Sequence, residues 1–209
     1  MTFNNRQKLF NEIAPYYDFF NNIISFGMHK TIKKESVKLL NPNGFGYDLC
    51  CGTGDISAII KDKGAEVIGV DFSKEMLNIA KTKYPNINFK QNDCSTLQLD
   101  SGTADFCSIA FGLRNIINKE ESIKEMYRIL KPNGKLMYLD FSNNKNLVDK
   151  IFNKFLLTFG NDKYKYLAIS KSNFWNVKEL KENFEIHGFK TKCEKYFVFG
   201  TLVAIIFQK

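Results

Sequence analysis

Residues capable of chemistry gather first in Tyr47-Asp48-Leu49-Cys50-Cys51-Gly52-Thr53-Gly54-Asp55, and again in Gly69-Val70-Asp71-Phe72-Ser73. Gly52 and Gly54 have no Cβ, so the backbone there can make a tight turn and come close to a ligand. A helix starting near Asp55 would turn its unbonded N–H groups into the same space. Asp71, 17 residues beyond Gly54, offers a carboxylate that can accept from two neighbouring hydroxyls, such as those of a ribose. This is the chemistry of a nucleoside site.

Such a site must be positioned by an alternation of strands and helices. From residue 44 onward, short β-rich runs at 45–50, 65–71, 86–91, 104–111 and 135–141 alternate with helical patterns at about 55–63, 73–83 and 119–130. That alternation predicts a parallel sheet with helices on both faces. Lys131-Pro132-Asn133-Gly134 ends the third of these helices and turns the chain into the fifth strand. Before residue 42 the patterns are helical, and Asn41-Pro42-Asn43-Gly44 closes them. A helix near 176–187 precedes two β-rich runs, 189–198 and 201–208, which Phe199-Gly200 joins as an antiparallel hairpin. A nicotinamide-type domain is expected to add a parallel sixth strand instead.

Ligands of open α/β sheets sit beyond the carboxyl ends of the strands. Those ends carry Asp48, Asp71, Asp93 and Asp140, with Ala110-Phe111-Gly112-Leu113-Arg114-Asn115 at the fourth. A pyrophosphate favours helix N-termini and avoids carboxylates. S-Adenosylmethionine has no phosphate and bears a sulfonium and an ammonium, so acid-lined strand ends suit it better. On that reading Asp48 reaches the amino-acid moiety through water and Asp71 takes the ribose. Asp93 accepts from the adenine amine, and the Cys94 backbone addresses a ring nitrogen. Gly52-x-Gly54-x-x-Ser57 also lacks the third glycine of the dinucleotide fingerprint. Asp55 is read as a charge at a helix N-terminus, and Asp100 and Asp105 as loop and strand-entry residues.

These motifs resemble the ubiquinone/menaquinone biosynthesis C-methyltransferases, class I S-adenosylmethionine enzymes. The resemblance runs through Asp48 to Asp55, Gly69 to Ser73 with Met76-Leu77, Ala110 to Asn115, Glu125-Met-Tyr-Arg-Ile-Leu-Lys-Pro132 and Leu139-Asp-Phe-Ser142. Upstream, Phe10-Asn-Glu-Ile-Ala-Pro-Tyr-Tyr-Asp18 is similar to the family's N-terminal signature. The resemblance implies a Rossmann-like α/β fold with a mostly parallel seven-stranded sheet and a C-terminal antiparallel hairpin. It also implies methyl transfer to a ring carbon of a prenylated quinol, demethylmenaquinol foremost, with a ubiquinone-pathway benzoquinol or another small molecule or lipid amine as alternatives. Cofactor-binding residues are then Asp48, Cys50, Gly52, Thr53, Gly54, Asp71, Phe72, Asp93, Cys94 and Ala110. Candidate catalytic residues are Arg114, Asn115, Tyr17, Asp18 and Asp140, with His29 as a further candidate base. Arg114 is permanently cationic, so it could stabilise a phenolate or be structural, pairing with an acid beneath the site. The chain departs from the family pattern at Thr31, Asp140 and Trp175, and its segment between Ser142 and Trp175 is shorter than usual.

Length and composition set the remaining expectations. The 209 residues suit one domain, divided into a helical cap (1–43), a cofactor-binding core (44–142), a substrate-side insertion or lid (143–175) and a C-terminal helix and hairpin (176–209). Five cysteines without a C-x-x-C spacing argue against a disulfide framework and a metal site. Cys50 and Cys51, adjacent on a strand, point to opposite faces. The net charge of +8 suits an anionic partner, but its lysines are dispersed, the densest run being His29-Lys30-Thr31-Ile32-Lys33-Lys34, and no RNA-binding motif accompanies them. No nucleic acid is expected. Ile151-Phe152, Phe155-Leu156-Leu157 and Phe159 alternate with Lys150 and Lys154 at helical spacing, which suits a lid, a helix at a membrane surface, or one packed on the sheet. The N-terminus lacks the apolar stretch of a signal peptide. A cytoplasmic enzyme with peripheral membrane contact is expected, and monomer and homodimer both stay open.

Overall fold

The computed structural model of the protein describes Asn11, residues 28–143 and residues 169–209. Tyr17, Asp18 and the apolar run from Ile151 to Phe159 lie outside the described residues. Seven strands form one sheet in the order β3-β2-β1-β4-β5-β7-β6. They are β1 (Phe45–Leu49), β2 (Glu66–Asp71), β3 (Asn88–Gln91), β4 (Ala104–Ala110), β5 (Leu130–Phe141), β6 (Lys190–Phe197) and β7 (Leu202–Gln208). The first five run parallel, and β7 lies antiparallel between β5 and β6. The antiparallel hairpin read from Phe199-Gly200 is therefore present, with its second strand inserted next to β5.

Strict alternation divides the core into layers. Leu136 and Tyr138 of β5, with Val203, Ile205 and Phe207 of β7, point to one face, whereas Met137 and Ile206 point to the other. The first face is covered by α4 (Lys119–Ile129) and α5 (Val177–Ile186), through Ile123, Met126, Leu180 and Phe184. The second is covered by α1 (His29–Leu40), α2 (Asp55–Asp62) and α3 (Lys74–Lys83), through Val37, Leu40, Ile56, Ile60, Leu77 and Ala80. Burying a leucine- or phenylalanine-sized side chain is worth roughly 1.5–3 kcal/mol, so these layers dominate the stability of the sheet. Cys50 packs against the first layer and Cys51 against the second, as adjacent strand-end residues should.

The Lys131-Pro132-Asn133-Gly134 turn is expressed inside β5 rather than before it. Leu130 pairs with Ala104, and pairing resumes only at Lys135 opposite Phe106. The four residues between bulge outward, with Asn133 at φ +65°. Lys209 Nζ donates to the Tyr127 and Leu130 carbonyls at 2.7 and 2.8 Å, so the C-terminal side chain caps the end of α4.

The order 3-2-1-4-5 reverses between β1 and β4, which places a crevice beyond their carboxyl ends. Each strand is followed at once by a non-glycine residue in the left-handed region, Cys50 at φ +53° and Phe111 at φ +57°. A Cβ on Gly112 would lie 2.4 Å from Cys50 Cβ. The two strand ends therefore interlock, and only glycine fits at 112.

Candidate functional site

Asp71 closes β2, and both its oxygens are held by the backbone. Gly52 N–H donates to Oδ2 and Ser73 N–H to Oδ1, each at 2.9 Å. The first bond ties the glycine turn after β1 to the end of β2. The second leads into α3, whose N-cap Ser73 accepts from Met76 N–H at 3.2 Å and donates to Asn11 Oδ1 at 2.7 Å. Burial pushes the Asp71 carboxyl up to about 6 against the backbone donors that oppose it, so it is ionised at neutral pH. An ionised carboxylate has about four lone-pair positions. Backbone donors fill part of that capacity, and the rest is available to ligand hydroxyls.

Beside it lies a cavity of about 190 Å³ lined by Cys50, Gly52, Asp71, Phe72, Met76, Asn92, Asp93, Cys94, Ser95, Ala110, Phe111, Gly112 and Asn115 to Asn118. Asp93 Oδ1 accepts from Ser95 N–H and Oγ–H at 2.8 and 2.6 Å, which folds the chain after β3 across the cavity. Cys94 Sγ sits 3.5 Å from Cys50 Sγ. The Cys94 thiol and burial push the Cys50 thiol well above its ordinary range. It is therefore a neutral, soft wall and no nucleophile.

Asp48 turns the other way. Ser57 and Ser108 donate to its two oxygens at 2.7 and 2.8 Å, and burial pushes it up to about 6 despite them. It lines a smaller cavity, about 20 Å³, with Lys33, Thr53, Asp55 and Ala110 on the opposite side of the glycine turn. Asp55 is more than a helix-terminal charge. Lys33 Nζ and Lys83 Nζ reach it at 2.8 and 2.7 Å, and Tyr84 Oη–H donates at 3.0 Å. Burial raises its carboxyl, but the two ammonium groups outweigh burial and hold it well below the usual range. Gly54 also differs from expectation: at φ +86° its Cα faces the Phe89 ring, where a Cβ would sit 2.8 Å from Cζ. Its N–H donates to the Cys51 carbonyl at 2.9 Å. Gly52 lines the cavity, and Gly54 packs the turn against the sheet.

At the fourth and fifth strand ends the charged groups pair with each other. Arg114 Nη1 lies 2.6 Å from Asp140 Oδ1, and both side chains are nearly buried. Arg114 Nη1 and Asn115 Nδ2 donate to the Phe111 carbonyl at 2.9 and 3.2 Å. Phe141 N–H also reaches Asp140 Oδ1, at 2.8 Å, while Oδ2 has no hydrogen-bond partner among the described residues. Burial pushes the Asp140 carboxyl up, opposed by Arg114. Of the expected catalytic residues among those described, Asn115 alone lines the larger cavity. Arg114 and Asp140 are not in its described lining; they pair with each other, and Arg114 also donates to the Phe111 carbonyl. His29 is buried at the start of α1.

The structure thus brings Cys50, Gly52, Asp71, Phe72, Asp93, Cys94, Ala110 and Asn115 to one cavity, and Asp48 and Thr53 to its neighbour. Sequence reasoning missed the serines that hold Asp48. Ser57, one turn into α2, was a readable signal, whereas Ser108 lies in a continuous apolar strand and gave none. It also missed Met76, Asn92, Ser95 and the apolar lip Ile116-Ile117. Among the described residues lining the larger cavity there is no lysine or arginine, and this donor set fits a nucleoside carrying positive charge better than a pyrophosphate. Among the described residues no group of three or more metal-ligating side chains occurs, and no helix is long and apolar enough to cross a membrane.

Comparison with known proteins agrees with this geometry. A profile of the ubiE/COQ5 methyltransferase family matches residues 3–208. The demethylmenaquinone methyltransferase of Lactobacillus johnsonii is 37% identical over 203 residues, covering 87% of this chain and 83% of that protein. The ubiquinone/menaquinone biosynthesis C-methyltransferase UbiE of Geotalea daltonii is 34% identical over 205 residues, covering 88% and 87%. In fold, a SAM-dependent methyltransferase from Thermotoga maritima superposes with a TM-score of 0.78 at 19% identity, covering 97% of this chain and 99% of that one.

Proposed function

Because the chain belongs to the ubiE/COQ5 methyltransferase family and is an S-adenosylmethionine-dependent methyltransferase, we propose that its acceptor is the ring carbon of a prenylated quinol, demethylmenaquinol foremost. The observation that carries this reading is the composition of the larger cavity: carboxylates at one end, and Ala110, Phe111, Gly112, Ile116 and Ile117 at the other. The first end suits a cationic nucleoside and the second a flat aromatic ring. The relatives' activity on demethylmenaquinone supports the choice of ring.

When bound, the cofactor supplies an electrophilic methyl group. Asp71 accepts from the ribose hydroxyls, and its bond to Gly52 N–H holds the glycine turn in place for them. Asp93 and the backbone of Cys94 face the adenine, and Asp48 with its two serines supports the amino-acid end. Asn115 faces the acceptor, while Arg114 and Asp140 act as positioning residues through the Phe111 carbonyl. An aromatic carbon becomes nucleophilic when an adjacent hydroxyl loses its proton. With the cofactor bound in this cavity, the ring carbon would form its bond to the methyl as the methyl–sulfur bond breaks and S-adenosylhomocysteine leaves, and the ring hydrogen would then pass to water as a proton, restoring aromaticity. Holding the two reactants in line supplies a large share of the barrier reduction for such a step, which suits a site whose walls are rigid strand ends.

The test is methyl transfer from labelled S-adenosylmethionine to demethylated naphthoquinol and benzoquinol, kept reduced, with cofactor binding followed by calorimetry. Transfer to the naphthoquinol in preference is expected. Tight cofactor binding with no transfer to either quinol would remove the acceptor assignment and leave the cofactor assignment standing.

A further inference from the structure

The turn between β6 and β7 is built against its own sequence. Val198, Phe199 and Gly200 stand consecutively in the left-handed region, at φ +49°, +52° and +83°. Only the glycine suits that conformation, and a β-branched valine there is a genuine outlier. Strain of this kind persists where the side chains serve something other than the turn. Phe199 is also 89% exposed, the most exposed of the large hydrophobic residues described.

Position gives the tip its meaning. Phe141 pairs with Leu202 and Ser142 N–H donates to the Thr201 carbonyl at 2.9 Å, so the tip projects beyond the carboxyl end of β5, the same edge that carries the cofactor cavity. A small apolar cluster of Ile32, Phe141 and Leu202, with Phe111 and Val198 packed against it, leads from the cavity wall to the tip. The start of α1 reaches this edge through Ile32, and there Lys30 and Lys34 are exposed. Lys195, the last charged residue before the tip, reaches across to Glu35 of α1 at 2.8 Å. From Tyr196 to Leu202 the sequence carries no acid.

We infer that this edge is a docking surface for an anionic phospholipid bilayer, with Phe199 entering the interface, Val198 anchoring the tip to the apolar cluster, and Lys30 and Lys34 meeting the headgroups. The inference rests on the prenylated-quinol reading: a substrate with a polyisoprenyl tail resides in a bilayer, and the apolar cluster links the bilayer side to the methyl-transfer cavity. An exposed aromatic at an edge whose neighbouring helix carries exposed lysines matches an interface that is apolar within and negative outside.

The test is co-sedimentation of the full chain with vesicles of phosphatidylcholine alone and of phosphatidylcholine with phosphatidylglycerol. The variant Phe199→Gly places a residue that accepts positive φ at the exposed position and leaves the packed Val198 in place, so it should keep or raise the melting temperature. It should lose anionic-vesicle binding by about tenfold or more, with unchanged affinity for S-adenosylmethionine and unchanged turnover of a short-tailed, water-soluble quinol. Lys30→Ala and Lys34→Ala should each weaken binding about fivefold. Parent protein that binds both vesicle types equally or neither, or a Phe199→Gly variant that binds like the parent, would overturn the docking surface. Absence of turnover on the short-tailed quinol would instead strike the acceptor assignment, independently of the vesicle result.

Discussion

The ends of β2 and β5 each present an aspartate, and the two do opposite work. Asp71 is held by backbone N–H groups, which leave lone pairs facing a cavity. Asp140 is taken by a guanidinium and sealed beneath the Phe111 turn. An acid at a strand end is therefore not by itself a ligand-binding acid. What decides is whether its partners are amides, which leave its charge available, or a cation, which consumes it.

Breaking the β5 side should have the larger effect on the fold. Removing one partner of a buried ion pair leaves an uncompensated charge and is destabilising by about 3–5 kcal/mol. Arg114→Ala should show that loss in urea unfolding, while Arg114→Met with Asp140→Leu should recover most of it. If the single variant unfolds like the parent, the pair does not hold the Phe111 turn, and Arg114 becomes available for the acceptor.

On the β2 side the effect should fall on the ligand. Asp71→Asn keeps the shape but removes a charged acceptor, and hydrogen bonds to charged groups are worth about 1.5–3 kcal/mol. S-Adenosylmethionine affinity should drop about tenfold to a hundredfold by calorimetry, with a smaller change in unfolding than Arg114→Ala produces. Equal losses in both measurements would erase the distinction between the two acids.

Acid should sharpen the same distinction. The Asp71 carboxyl is pushed up to about 6 in the fold from an ordinary value of 3.8. Between those values the folded chain binds more protons than the unfolded one, so this group makes stability fall as pH rises from 3.8 towards 6. Cofactor affinity should move the other way, rising with pH through about 6 as the ribose acceptor ionises. Asp48 is also pushed up to about 6, so the rise belongs to Asp71 only if Asp71→Asn flattens it and Asp48→Asn does not.

The same contrast explains what could be read in the sequence. The parallel core, the glycine turn and Asp71 were legible because local patterns specify them: alternating strands, a missing Cβ, and an acid at a fixed distance along the chain. The Arg114–Asp140 pair spans 26 residues and joins two strand ends that meet only once β4 and β5 pair, so the sequence could offer its structural role only as one of two alternatives. Gly54 is the local counterpart. Its neighbour Gly52 follows the ligand reading, but Gly54 is fixed by Phe89, 35 residues away on β3, which no turn motif reveals. The Lys131–Gly134 turn was read correctly as a turn, yet pairing of Leu130 with Ala104 before it depends on tertiary register.

Asp55 stands between the two cases, ion-paired like Asp140 but at the rim like Asp71, and it should give the smallest effect. Its two cations differ in burial: the Lys33 side chain is 8% exposed and that of Lys83 is 35% exposed. A partly exposed pair is screened by water and salt and is typically worth about 0.2–1 kcal/mol. Lys83→Met should therefore lower stability by no more than that, and the loss should shrink further in molar salt. Lys33→Met should lower it more, because Lys33 approaches Asp55 from the buried side and lines the small cavity beside Asp48. Urea unfolding of both variants at low and high salt decides the point. If Lys83→Met proves the more damaging, burial is not what ranks these partners, and the contrast between amide-held and cation-held acids would need another cause.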